Sequence, residues 1–196
     1  MGRYAKDGGG GDYEQAPTGN HVARCIRLID LGTQHSSYEG KATVRNQVLV
    51  SFELCNEKMA DGRPFTIGEF YTNSLNEKAK LRAHLEAWRG RAFTDEELNG
   101  FDLESILGKP CMVSIIINEN RKTRISAIAA MPKGMQSAPC VNDPYSFWIE
   151  EWDQAAFDQM PDGIKKLISE SDEYKNRGSK KATHQAIVDM DSDIPF

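Results

Sequence analysis

"NQVLVSFEL", residues 46–54, sets Val48, Val50, Phe52 and Leu54 on one side and Gln47, Leu49, Ser51 and Glu53 on the other. A period of two is the pattern of a strand with one buried face. Upstream, "HVARCIRLID" (21–30) is rich in apolar and branched residues and suits a first strand, with order beginning near Gly19. Between the two, "LGTQHSSYEGKAT" (31–43) has turn chemistry and no core pattern, which predicts a long hairpin loop. Downstream, Asp61–Gly62 is a turn signal leading into "PFTIGEFYT" (64–72), a third strand.

The period then changes. Ser74 with Glu77 reads as a capping box opening "EKAKLRAHLEAWRG" (77–90), where Leu81, Leu85 and Trp88 recur at helical spacing and Gly90 ends the run. That spacing puts Trp88 in the core. The cations Lys78, Lys80, Arg82, Arg89 and Arg91 read as a solvated face. Thr94 with Glu97 forms a second box, and "FDLESILGKP" (101–110) predicts a short helical turn. "CMVSIIIN" and "RISAIAAM" follow as two strands joined by the polar turn "ENRK".

Three strands, a helix and two strands within residues 19–135 match a mainly β fold. The expected form is a five-stranded OB-like Greek-key barrel with a helix between strands 3 and 4. A small mixed α+β sheet is the main rival, and a parallel α/β fold is disfavoured because strands and helices do not alternate. Residues 1–18, with four consecutive glycines, predict a flexible N-terminal arm. Residues 136–176 predict a linker and helical extension packed on the barrel, and 177–196 a disordered acidic tail.

The 196-residue chain is 39% hydrophobic and 27% charged, with formal charge −5. Residues 19–135 carry 16 Lys+Arg against 14 Asp+Glu, whereas 136–196 carry 6 against 12. A mildly basic body therefore precedes an acidic end. No apolar run reaches the roughly 18–20 residues that span a bilayer, and no signal-peptide stretch stands at the start, so a cytoplasmic location is expected. Cys25, Cys55 and Cys111 lie in apolar runs as expected free thiols. No cysteine or histidine spacing suggests a metal site, and no cofactor is expected.

The last eight residues, "DMDSDIPF", place Asp189, Asp191 and Asp193 before Ile194, Pro195 and Phe196. This segment resembles the C-terminal tip of bacterial single-stranded-DNA-binding proteins, with Met190 and Ser192 interrupting a denser acidic run. "ARCIRLIDLGTQ", "LRAHLEAWRGRAFTDEEL", "GFDLESILGKPCMVSII" and "MPKGM" are similar to phage and prophage proteins that coat single-stranded DNA; that likeness covers most of 19–135 and part of the segment after it. The resemblance implies sequence-independent DNA binding and protection in phage replication, recombination or repair. It also implies a tip that recruits helicases, primases, nucleases or recombination proteins. Physically, a ring beside a carboxylate needs only a small pocket with a basic rim.

Binding a bare strand requires cations for phosphates and flat rings for bases. On the barrel surface of strands two and three and its flanking loops, the candidates are Arg24, Tyr38, Lys41, Arg45, Arg63, Phe70, Tyr71, Lys122, Arg124 and Lys133. Strand alternation allows only one of Phe70 and Tyr71 to face outward. The phenol of Tyr71 tolerates a wet surface, which favours Tyr71. Two rivals stand beside this reading. One is a protein-interaction adaptor that uses the tip to capture host replication or repair proteins. The other is a metal-dependent nuclease built on Pro161–Asp162 and Glu173-Tyr174-Lys175, whose polar, helix-end setting argues against it. No Walker loop, HExxH or GxSxG occurs, and an enzyme is not expected. Oligomeric state is open, with a homo-oligomer one possibility.

Overall fold

The computed structural model describes residues 14–38 and 40–177, without the side chain of Tyr38. Three long strands open it: β1 (Gly19–Tyr38), β2 (Lys41–Lys58) and β3 (Pro64–Thr72). Helix α1 (Lys80–Arg89), short α2 (Asp95–Asn99) and a 3-10 turn (Leu103–Ile106) come next. Strands β4 (Pro110–Ile117) and β5 (Thr123–Ala129) follow, then β6 (Tyr145–Phe147), α3 (Gln154–Asp158) and α4 (Asp162–Glu170). The protein is mainly β, as the sequence predicts. No helix among the described residues is long and apolar enough to cross a membrane.

One sheet holds all six strands in the order β3-β2-β1-β4-β5, each neighbour antiparallel, with β6 added parallel to β1. The sheet is open: among the described residues no ladder joins β3 to β5. Strand β1 serves both halves. Its first residues pair with β4 from Gly19 to Arg24, and β6 takes the same edge at Arg27–Ile29. A register shift between Cys25 and Arg27 changes the phase of β1. Pairing then sets Arg24 opposite Glu53, Arg27 opposite Ser51 and Ile29 opposite Leu49, all on the outer face.

The inner face gathers Ala23, Cys25 and Leu28 of β1 with Val48, Val50, Phe52 and Leu54 of β2, the set expected from alternation. Helix α1 packs on β3 and β5 at the open edge of the sheet. Leu81, Leu85 and Trp88 are buried there, each stabilising by about 1.5–3 kcal/mol. Trp88 Nε1 donates to the Pro110 carbonyl at 2.8 Å, and the Ala130 amide donates to Ala87 at 3.0 Å, tying α1 to β4 and to the end of β5. At the other end, Ala16 is buried in the core. Gln15 bonds to Arg121 and Thr123, and Glu14 accepts from Ala60. Residues 14–17, placed in a flexible arm by sequence, are thus tied to the β4–β5 and β2–β3 turns.

A second apolar layer covers the outer face of β1 and β2. Ile29, Leu31 and Leu49 meet Phe147, Ile149, Met160 and Ile168, flanked by Trp152, Phe157 and Tyr174. The expected helical extension is therefore a packed layer, and it contributes a sixth strand too short to carry a periodic signal. Gly32 marks its tightest contact. There φ is +65°, and the Glu173 carboxylate accepts from Thr33 N at 2.6 Å and Thr33 Oγ1 at 2.7 Å.

Two local expectations are corrected. Residues 31–43 are not a hairpin loop: β1 and β2 stay paired from Gln34–Arg45 out to Tyr38–Lys41, with Ser36 and Thr43 hydroxyls 2.6 Å apart. Much of this two-stranded arm is exposed, so it has no apolar period to read. The Ser74–Glu77 box is also absent. Ser74 Oγ accepts from Asn76 N and Asn76 Oδ1 from Lys78 N, so local turns use those groups and α1 opens at Lys80. The Thr94–Glu97 box is present, and Gly90 ends α1 in the left-handed region, both as predicted.

Candidate nucleic-acid interface

On β3, Phe65, Ile67 and Tyr71 face the core, while Thr66, Gly68, Phe70 and Thr72 face out. Phe70 is 48% exposed and Tyr71 only 2%. The preference for Tyr71 as a base-stacking surface is therefore corrected: the outward aromatic is Phe70. Tyr71 has a structural partner instead, its hydroxyl lying 2.8 Å from His84 Nδ1. Burial, with the nearby Lys80 charge, lowers the His84 pKa to about 4, so the ring bonded to the phenol is neutral at pH 7. Burial also pushes the Tyr71 hydroxyl well up, followed by the Glu69 charge.

Phe70 continues a row across the outer face, opposite Leu49, which is opposite Ile29, which is opposite Phe147. The other three members lie in the second apolar layer. A parallel row runs Gly68, Ser51, Arg27, Tyr145. The next one holds Thr66, Glu53 and Arg24.

Arg24 and Glu53 are both engaged. Arg24 donates to the carbonyls of Gly108 (2.7 Å), Ala138 (2.6 Å) and Ser137 (3.3 Å). Glu53, nearly fully buried, accepts from the amides of Val141 (2.7 Å) and Asn142 (2.9 Å) and from Asn142 Nδ2 (2.6 Å). Together they clamp residues 137–142 against the sheet. Arg24 is a structural cation, not a free edge contact as its sequence position suggested.

The remaining candidates fall at two ends. Lys41 and Arg45 are exposed on the β1–β2 arm; the Tyr38 side chain lies outside the described residues. Arg63, Lys122 and Arg124 lie at the opposite end, where the β2–β3 and β4–β5 turns meet residues 14–15. Arg63 pairs with Asp61 at 2.6 Å, which offsets its charge. Arg124 borders an open cleft of about 430 Å³ with Ile116 and Ile117. Lys133 is exposed in the segment after β5. On the middle of the outer face stand Phe70, which is exposed, and Arg24, which is covered by residues 137–142. The acidic tip, Asp189 to Phe196, lies outside the described residues.

Sequence reading missed Arg27 and Tyr145. The guanidinium of Arg27 stands 5.8 Å from the Tyr145 ring centroid and makes no ion pair among the described residues. The "RCIR" spacing would put Arg24 and Arg27 on opposite faces of an ideal strand, and the register shift between them brings both out.

Elsewhere the surface opposes phosphate. An open cleft of about 470 Å³ is lined by Asp30, Asp102, Glu104, Glu150, Glu151 and Glu173, with Asn46, Asn73 and Trp148. Burial raises the Asp30 pKa, with Glu173 and Glu150 adding to the effect against hydrogen bonds from Gly32 and Ile149. Burial also acts to raise Glu173, but hydrogen bonds from Thr33 and Asn46 outweigh it and hold that carboxyl below its usual value. Glu173, the residue a nuclease motif would need, thus anchors Thr33 and Asn46. Asp162 lies fully exposed beside Lys165. Among the described residues, no group of three or more His, Cys, Asp or Glu is arranged to hold a metal ion. Cys25 and Cys111 are buried thiols; burial pushes Cys25 up to about 12 and Cys111 in the same direction.

No protein-family model matches the chain, and no curated protein matches it.

Proposed function

We propose that this chain is an OB-type single-stranded-DNA-binding protein that coats bare strands without sequence preference. Its setting would be phage DNA replication or recombination, with residues 189–196 recruiting partner proteins. The role is binding, not catalysis. The observation that carries the reading is Phe70, an exposed aromatic on the outer face of the third strand. The sheet behind it has the order β3-β2-β1-β4-β5, with a helix between β3 and β4. That order supports an OB-type barrel whose last seam, β3 to β5, is bridged by α1 packing. The recruiting role rests on the sequence of the tip.

A stacked base on an aromatic ring contributes about 1–3 kcal/mol with little base preference. The test is a fluorescence titration of the full chain with oligo(dT), beside duplex DNA and single-stranded RNA. Saturable binding of oligo(dT), weakening with salt and stronger than for duplex, supports the reading. No binding at low salt overturns it. Deleting residues 189–196 should leave or tighten DNA binding while abolishing capture of replication or recombination proteins. Loss of DNA binding on that deletion would favour a different division of labour.

A further inference from the structure

Phe70 alone is a short platform; of the cations foreseen from sequence, Lys41, Arg45, Arg63, Lys122 and Arg124 sit at the two ends of the sheet and Arg24 is engaged by carbonyls. We infer that the strip Phe70–Gly68–Ser51–Arg27–Tyr145 is the path of the single strand, with Arg27 holding a phosphate and Tyr145 a base. This rests on the single-strand-binding reading and adds to it a cation and a ring, the ring coming from the C-terminal layer.

The geometry comes from pairing. Gly68, Ser51, Arg27 and Tyr145 are directly opposed across β3, β2, β1 and β6, so all four point outward. At about 4.8 Å per strand the row is about 14 Å long. It runs between two coverings, residues 137–142 clamped over the Arg24–Glu53 row and the apolar layer over the Ile29–Leu49 row. The strip is open at Gly68 and Phe70, closes over Ser51 at 7% exposure, and is half-open again at Arg27 and Tyr145.

Charge selects an anionic ligand. The outward positions of β3 (Thr66, Gly68, Phe70, Thr72) carry no carboxylate, and Glu53 in the next row is buried by its loop. Glu69 lies on the other face of β3, paired with Lys80 at 2.5 Å. Arg27 has no carboxylate partner among the described residues, only the Tyr145 face. An arginine beside an aromatic ring sets a phosphate donor next to a surface on which a base can stack, and here the guanidinium stands 5.8 Å from the ring centroid. The neighbouring Ser146 turns the other way, its hydroxyl donating to Glu104, so the acidic cleft opens away from the strip. Gly68 is exposed and has no side chain to stand over the strip, and its missing Cβ makes room for Leu49 Cδ1, which would lie 2.9 Å from it.

The test uses the full chain and oligo(dT) anisotropy over a salt series. Arg27→Gln should weaken binding about tenfold and reduce the slope of log K against log salt by about 0.7, one phosphate contact on a single strand. Tyr145→Leu should weaken it about 5- to 150-fold, while Tyr145→Phe keeps it. A residue that merely docks β6 would leave the salt slope unchanged. Wild-type protein photocrosslinked to bromodeoxyuridine-substituted oligo(dT) should label the peptides containing Phe70 and Tyr145, a readout that needs no variant to fold. Unchanged affinity and slope in Arg27→Gln overturns the path, as do crosslinks confined to the arm or the β4–β5 turn. Failure of the wild-type chain to bind any oligonucleotide instead overturns the single-strand-binding reading itself.

Discussion

Replacing Gly32 by alanine should loosen the whole C-terminal layer from the sheet. The residue has φ +65°, where an added Cβ costs about 1–2 kcal/mol. That Cβ would also stand 2.5 Å from Glu173 Oε2, 2.7 Å from Ser171 Cβ and 2.8 Å from Ser171 Oγ, far inside contact distance. Residues 171–173 must retreat, and both Thr33 donors lose the Glu173 carboxylate. Hydrogen bonds to a charged group are worth roughly 1.5–3 kcal/mol each, and a released carboxylate recovers much of that from water. A total loss of about 3–4 kcal/mol is expected. Urea unfolding followed by tryptophan fluorescence reads it, since Trp152 lies in the affected layer and Trp88 in the main core. Gly134→Ala is the internal control: φ is +82° but nothing lies near its Cβ, so only the backbone cost of about 1–2 kcal/mol should appear. Equal losses in the two variants would refute the claim that close approach of residues 171–173 makes Gly32 necessary.

Other outcomes follow from the same contacts. Glu53→Ala removes the acceptor of the Val141 and Asn142 amides, and should cost about 2–4 kcal/mol and speed hydrogen exchange at those two amides. Slow exchange in the variant would show that residues 137–142 are held by something else. His84 has its folded pKa depressed from 6.5 to about 4, so the unfolded chain takes up the proton first as pH falls. Its stability contribution is complete above about pH 6.5 and is lost between there and pH 4, by about 1–2 kcal/mol after discounting for partial exposure. Comparing wild type with His84→Gln by urea unfolding at pH 7 and pH 4.5 isolates that increment. Identical pH dependence would remove His84 from the account.

The strand pattern was legible wherever one face is buried and the other wet. Val48, Val50, Phe52 and Leu54 told the inner face of β2, and Leu81, Leu85 and Trp88 the buried stripe of α1, because burial imposes a period. The arm of residues 34–45 was not legible, since its backbone pairs without a covered face. Nor was the orientation of Arg27, which depends on a one-residue register shift that leaves no compositional mark. Alternation limited Phe70 and Tyr71 to one outward ring but could not say which. That is decided by Ile67 and Phe65, two and three repeats of the pleat before Tyr71, which fix odd positions inward. The engagement of Arg24 by three carbonyls comes from segments 84 to 114 residues away, beyond any local reading.

The most direct test of strand binding across β3 is oligo(dT) titration of the full chain beside Phe70→Ala at low salt. Saturable wild-type binding with about 5- to 150-fold weaker binding by the variant is the predicted result. Equal affinity of the two proteins, or no binding by either, would contradict it.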